Sequence, residues 1–179
     1  GAWITPALAR RDELRFFLED TRAKVLLVAN RGDCIGELQA LDRAQLTHLD
    51  HVVAYPEASG TDYLSWDELL AGRSDSFGPQ PHPADAVAVI WHTGGTTGTP
   101  KACYHTSRRL VLAAQHSTAG YEVGEDDVHL FPAPLGHAAG WLSRTTHSLI
   151  RGITQVELED FNNPERVLRA VGDYKATWL

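Results

Sequence analysis

Methionine is absent from this 179-residue sequence, and basic residues are outnumbered by acidic ones. Asp and Glu together number 23 and Lys and Arg 16, which gives a formal net charge of −7. Because nucleic-acid-binding surfaces carry clustered positive charge, we expect no nucleic-acid partner. The only two cysteines, Cys34 and Cys103, are far apart and form no C-x-x-C pair. Such sparse usage is typical of the reducing cytosol.

Long apolar runs are also missing. No stretch approaches the roughly 20 apolar residues of a membrane-spanning helix, and no signal peptide is recognisable. We therefore expect a cytoplasmic protein without a membrane span. The absence of methionine, a start at 1–6 that resembles the inside of a strand, and an incipient strand at 176–179 lead us to expect a piece of a longer protein.

The residues that are present alternate between helical and extended patterns, which is typical of an α/β fold with a doubly wound sheet. We divide the chain into an upstream α/β part over 1–78, a proline-rich connection over 79–85 and a second part over 86–179. In the first part we predict helices over 11–21, about 35–46 and 65–70, and strands over 24–29 and 51–54. In the second part we predict strands over 86–91, 102–104, 128–131, 153–158 and 176–179, and helices over about 107–119, 139–150 and from Pro164 onward.

One stretch, Thr93–Lys101, is too rich in glycine and threonine to build a core. It directly follows the predicted strand over 86–91. Gly94, Gly95 and Gly98 permit positive φ and leave backbone N–H groups uncovered, threonine hydroxyls add donors, and Lys101 adds a positive charge. This combination suits phosphate oxygens and predicts a phosphate-binding loop, with an ordinary surface turn as the alternative.

The two commonest phosphate loops do not fit this stretch. A Walker A loop needs Gly-Lys-Ser/Thr, whereas Pro100 precedes Lys101 and Ala102 follows it. The glycine spacing also breaks the G-x-G-x-x-G dinucleotide fingerprint.

The stretch closely resembles the phosphate loop of the adenylate-forming superfamily, which includes acyl-CoA and aryl-CoA ligases, adenylation domains of peptide synthetases and luciferases. The loop of that family reads Ser/Thr-Ser/Gly-Gly-Thr/Ser-Thr-Gly-x-Pro-Lys. Ala102 departs from the glycine that usually follows the lysine. The resemblance covers nearly the whole chain. The residues of this sequence that it assigns to phosphate binding are Thr93, Gly94, Gly95, Thr96, Thr97, Gly98, Thr99 and Lys101.

A second motif, Pro134-Leu135-Gly136-His137 with Gly140 after it, lies where this family carries a histidine beside its acyl pocket. The resemblance therefore gives His137 a substrate-site role, and with Lys101 a place among the catalytic residues; a structural histidine is the alternative. Many members have a bulky aromatic residue where Gly136 stands. The form of the motif resembles ligases that act on aromatic, alicyclic or short-chain acids.

The resemblance also implies a reaction: a carboxylate attacks the α-phosphorus of MgATP, pyrophosphate leaves, and a thiol captures the acyl-adenylate. It implies a carboxylic acid, ATP, Mg²⁺ and CoA as substrates and cofactors of the parent enzyme, and leaves a homodimer of the parent open. The family's later adenine, ribose and hinge signatures do not occur in these 179 residues, so we expect the isolated fragment to be inactive. An adenylation domain that loads a carrier protein and a non-catalytic phosphate-binding fragment remain alternatives.

Other chemistry-bearing residues favour structural roles. The remaining histidines lack the short spacing of zinc sites, so we expect no metal centre in the protein itself. Asp126 and Asp127 belong to a Gly-Glu-Asp-Asp turn and are expected to be solvated rather than an acid–base pair. Trp91 is assigned to the sheet, and Trp141 to helix packing close to His137.

Overall fold

The computed structural model describes residues 2–3, 10–57, 59–93, 100–132, 135–158 and 162–179. Contacts divide the chain into two compact units. The upstream unit contains residues 10–82 and 100–102 of the described ranges, and the downstream unit contains 2–3, 83–93 and the described residues from 103 to the end.

Helices and strands alternate along the described ranges, as the sequence predicts for an α/β fold. The strands are β1 Ala2–Trp3, β2 Val25–Ala29, β3 His51–Tyr55, β4 Leu64–Ser65, β5 Val87–His92, β6 Ala102–Thr106, β7 Val128–Phe131 and β8 Thr154–Glu157. The helices are α1 Arg11–Thr21, α2 Cys34–Gln39, α3 Trp66–Leu70, α4 Ser107–Gly120, α5 Thr146–Arg151 and α6 Pro164–Asp173, with a 3₁₀ turn over Arg43–Gln45 and a π-helical segment over Ala139–Thr145.

The upstream unit is built on a parallel sheet in the order β2-β3-β4. α1 has the predicted bounds and buries the predicted stripe of Leu14, Phe17 and Leu18, because residues spaced three and four apart share one helix face. Leu38 of α2 is completely buried. Both helices therefore contribute apolar side chains to the core of this unit.

The helix predicted over about 35–46 is wrong in its length. α2 ends at Gln39, and the chain resumes as the 3₁₀ turn only at Arg43. Between them Asp42 has extended backbone angles, and its carboxylate accepts a hydrogen bond from the Ala44 N–H at 3.0 Å. A short acidic side chain that bonds the backbone nearby competes with helix continuation, so apolar periodicity alone overextends this element.

The downstream unit contains two sheets rather than part of one doubly wound sheet. β5 lies between β1 and β6 in one of them, and β7 pairs with β8 in parallel in the other. With the upstream sheet, the described strands therefore form three small sheets, which corrects the expectation of a single one. The predicted C-terminal strand is reduced to a bridge between His129 and Trp178.

Helix α4 begins as predicted, with the Thr106 hydroxyl accepting from the Arg109 N–H at 3.3 Å. Its buried stripe differs from the prediction: Ala114 and Thr118 are buried, whereas Ala113 is exposed. α5 packs against α4 through polar side chains as well, since the Arg151 guanidinium donates to the Thr118 hydroxyl at 3.0 Å. This hydrogen bond gives a hydroxyl that lies deep between two helices its partner.

The helix predicted over 139–150 exists but has two parts. Ala139–Thr145 is π-helical, and the chain returns to α-helix at Thr146, whose N–H donates to the Trp141 carbonyl five residues earlier. It ends at the predicted Gly152, which adopts a left-handed conformation with φ of 69°. π-helical turns are rare and occur frequently at functional sites. No helix in the described ranges is long and apolar enough to cross a bilayer.

Candidate active site

The strand that leads to the predicted phosphate loop is buried and central. β5 lies between two other strands, and its Val89 and Trp91 are 4% and 5% exposed. Thr93 follows the strand directly and is exposed. A buried strand thus delivers the first residue of the loop to the surface, where its hydroxyl is open to a ligand.

Most of the predicted loop, Gly94, Gly95, Thr96, Thr97, Gly98 and Thr99, lies outside the described residues. The phosphate-binding role of these residues therefore stays a prediction. Pro100 and Lys101 are described, and Lys101 is an exposed residue immediately before β6. Lys101 and Thr93 fall in different units, so their roles stay separate predictions.

His137 lies at the start of the π-helical segment, and its side chain is exposed. Its Nδ1 accepts a hydrogen bond from the backbone N–H of Ala139 at 3.2 Å. Its carbonyl oxygen accepts from the N–H groups of Gly140 at 3.0 Å and Trp141 at 3.2 Å. The backbone and one face of the imidazole are therefore both tied to the first turn of this segment.

An aromatic contact joins β5 to the π-helical segment. The Trp91 and Trp141 rings meet edge to face with centroids 6.2 Å apart, and Trp91 meets His105 of β6 in the same way at 5.4 Å. Trp91 is a buried sheet residue, as predicted, and Trp141 packs against it. Sequence reasoning placed Trp141 near His137 but missed this contact, because residues 50 apart carry no local signal of proximity.

The Trp91 indole nitrogen is buried and has no hydrogen-bond partner. Such a donor costs stability unless a partner is supplied, because it has lost its hydrogen bonds to water. It is the one described polar feature of this wall that local packing leaves unexplained.

Two histidines that the sequence suggested as metal ligands form part of the core instead. His129 and His147 are each 1% exposed, with ring centroids 6.0 Å apart. His147 Nε2 lies 2.5 Å from the Ser117 hydroxyl, which donates to the Ala113 carbonyl at 2.8 Å. Within the described ranges no group of three or more His, Cys, Asp or Glu side chains is arranged to hold a metal ion.

Two acidic side chains have shifted titration for opposite reasons. The Thr177 hydroxyl and the Gly124 N–H donate to Asp127 at 2.7 and 2.8 Å and hold the pKa of its carboxyl below its usual value. Asp127 thus anchors a turn, in agreement with the structural interpretation. Burial raises the pKa of Glu157 at the end of β8, while its hydrogen bond with Gln155 opposes that shift.

A cavity of about 500 Å³ opens on the upstream sheet and contains none of the predicted site residues. It is mainly apolar, and the residues that line it are Leu27, Val28, Ala29, Val53, Tyr55, Trp66 and Asp67.

Known proteins resemble the chain along almost its whole length. The family model described as AMP-binding enzyme matches residues 3–179. The acetyl-coenzyme A synthetase of Pseudoalteromonas translucida is 29% identical over 173 residues, covering 89% of this chain and 26% of that protein. The 4-hydroxybenzoate–CoA/benzoate–CoA ligase of Rhodopseudomonas palustris is 32% identical over 145 residues, covering 78% and 26%. The chain thus spans about a quarter of the length of these curated relatives.

Solved structures confirm the fold. The apo structure of Mycobacterium smegmatis MbtA has a TM-score of 0.82 at 27% identity, over 95% of this chain and 31% of that one. The anthranilate CoA ligase AuaEII, solved with anthranoyl-AMP, has a TM-score of 0.86 at 23% identity, over 98% and 34%. The family predicted from the loop and His137 is therefore confirmed: the chain belongs to the AMP-binding enzymes, the adenylate-forming family that includes acyl-CoA ligases.

Proposed function

We propose that the protein containing this chain is an ATP-dependent acid–thiol ligase, which forms an acyl-adenylate and pyrophosphate and then an acyl-CoA thioester. The observation that carries the proposal is the sequence Thr93–Lys101, placed directly after a buried strand in a chain of the AMP-binding family. The proposal includes a cytoplasmic location and leaves a homodimer of the parent open.

The described ends of the loop fit a polyphosphate. Thr93 offers a hydroxyl donor and Lys101 a cation, and both are exposed. In the proposed reaction negative charge grows on the departing pyrophosphate, and donors held in place stabilise that charge. Thr93 and Lys101 would bind phosphate oxygens, together with Gly94, Gly95, Thr96, Thr97, Gly98 and Thr99.

The proposed cofactors differ in what this chain offers them. Mg²⁺ supplies charge neutralisation when bound to the phosphates, and such sites use only one or two protein carboxylates. No ready-made metal cage is present among the described residues, which fits an ion that arrives with ATP. For CoA, the support is the set of relatives whose names specify CoA ligases.

We further propose that the acid is aromatic, alicyclic or short-chain. The benzoate–CoA ligase and the acetyl-CoA synthetase are both relatives at about the same level of identity, which supports this range without selecting one acid. Carboxylate-dependent exchange of labelled pyrophosphate into ATP by the parent enzyme, across benzoate, aminobenzoate, cyclohexane carboxylate and short fatty acids, tests the range.

The role of the loop is tested in the same assay. We expect Lys101→Ala and Thr97→Ala in the parent to lower the exchange rate by about 10²- to 10³-fold, the usual loss when a donor to a developing negative charge is removed. Lys24→Ala, which removes another exposed lysine, is the matched control and is expected to leave the rate unchanged. If Lys101→Ala behaves like Lys24→Ala, the loop does not have the proposed role.

A further inference from the structure

The hydrogen bond of His137 determines where its ring carries a proton. Nδ1 accepts from the Ala139 N–H at 3.2 Å, and a ring nitrogen that accepts a hydrogen bond bears no proton. In the neutral imidazole the proton is then on Nε2. The tautomer is assigned from this contact, as histidine tautomers generally are.

The opposite tautomer conflicts with the same geometry. With a proton on Nδ1, two N–H donors would face each other across 3.2 Å, and the Ala139 N–H would lose its acceptor. For Nε2 to act as a base, the ring would first need that unfavourable tautomer. Nε2 has no hydrogen-bond partner among the described residues, and the side chain is exposed, so its N–H is available to a ligand.

We propose that His137 meets the bound acid as a neutral donor, with Nε2–H directed to a carboxylate oxygen, and that the Ala139 N–H sets this tautomer. No proton transfer is involved. The identity of the acceptor rests on the proposed function, whereas the tautomer rests on the hydrogen bond alone. The histidine would therefore position the acid and would not activate it as a base.

Two isosteric substitutions separate the donor role from a structural one. In His137→Asn the amide oxygen can accept from the N–H two residues later, as asparagine does in turns, but no donor remains near the Nε2 position. In His137→Gln the amide nitrogen reaches approximately to the Nε2 position and can donate. Asparagine therefore preserves the local turn, and glutamine preserves the donor.

For the parent enzyme we expect His137→Asn to raise the KM for the acid about tenfold to hundredfold in the pyrophosphate-exchange assay, the range for a lost hydrogen bond to a charged group. We expect His137→Gln to stay within about tenfold of the original KM. A purely structural histidine predicts the reverse, with asparagine tolerated, and that result would overturn the proposal. If the parent shows no carboxylate-dependent exchange at all, the proposed function fails instead.

The tautomer is measured without activity. In the ¹⁵N-histidine-labelled 179-residue chain, with the His137 signals identified by their loss in His137→Asn, we expect a pyridine-like Nδ1 and a pyrrole-like Nε2 at neutral pH. We also expect the Ala139 amide resonance to move as the imidazole is protonated, because protonation removes its acceptor. A pyrrole-like Nδ1, or an Ala139 amide that ignores the titration, would overturn the assignment.

Discussion

Asp127 shows how a single acidic side chain can hold two distant parts of the sequence together. Its carboxylate accepts from Gly124 within the turn and from Thr177 fifty residues later. Thr177 also accepts from the Val128 N–H at 3.0 Å, at the start of β7. These bonds favour the ionised carboxylate, which explains the lowered pKa of Asp127.

The lowered pKa makes a prediction about acid stability. Because the folded-state pKa of Asp127 lies below its unfolded value of about 3.9, the carboxylate stabilises the fold above that value. That stabilisation is lost as the pH falls through the folded-state pKa. We expect Asp127→Asn to lower the urea midpoint at pH 7 and to reduce its dependence on pH below about 5.

Asp126→Asn is the control for this measurement, because the neighbouring carboxylate is exposed. It is expected to leave both the midpoint and its pH profile almost unchanged. Equal effects of the two substitutions would show that net charge, rather than the hydrogen bonds of Asp127, governs the acid response.

At the scale of elements, helix ends were more predictable than helix lengths. Asn163 and Pro164 start α6 as the sequence indicates, with the Asn163 side chain accepting from Glu165 and Arg166 N–H groups at 3.1 and 3.3 Å. Capping is a local property that a few adjacent residues determine.

Removal of this cap is a second stability prediction. Asn163→Ala leaves the two N–H groups without their side-chain acceptor and is expected to destabilise the chain by about 1 kcal/mol, measured by urea unfolding. Asn162→Ala removes the adjacent exposed asparagine and is expected to cost much less. Equal losses would mean that Asn163 does not act through the cap.

Other features of the elements had no local signal. The division of the strands into three sheets depends on pairings such as β1 with β5, which joins residues more than 80 positions apart. The early end of α2 reflects the extended conformation at Asp42. The sequence predicted the existence and order of most elements, because periodicity is local, but long-range contacts decide which strands pair.

At the scale of the whole molecule, the family was predictable because its loop has a biased composition that packing does not produce. Thr93 and His137 could be named from motifs, whereas the Trp91–Trp141 contact and the Nδ1 hydrogen bond could not, since both depend on three-dimensional geometry. The acyl acid also stayed beyond the sequence, because the phosphate loop contacts the part of the substrate that all members share.

The length of the chain leads to the last prediction. The chain spans about a quarter of its curated relatives, and the family's later nucleotide-binding signatures are absent from its sequence. We expect the purified 179-residue chain to produce no acyl-adenylate, because donors near the phosphates cannot position the acid and the adenosine as well. Carboxylate-dependent pyrophosphate exchange by this chain would contradict the prediction; the parent enzyme is the positive control.

The π-helical segment has a consequence for comparing this chain with its relatives. The bond from Thr146 to Trp141 spans five residues instead of the four of an α-helix. A relative with an ordinary α-helix here needs one residue fewer between the histidine and α5. An alignment that forbids a one-residue gap over 139–145 would therefore place His137 opposite its neighbour, and the histidine would look unconserved although its position in space is the same.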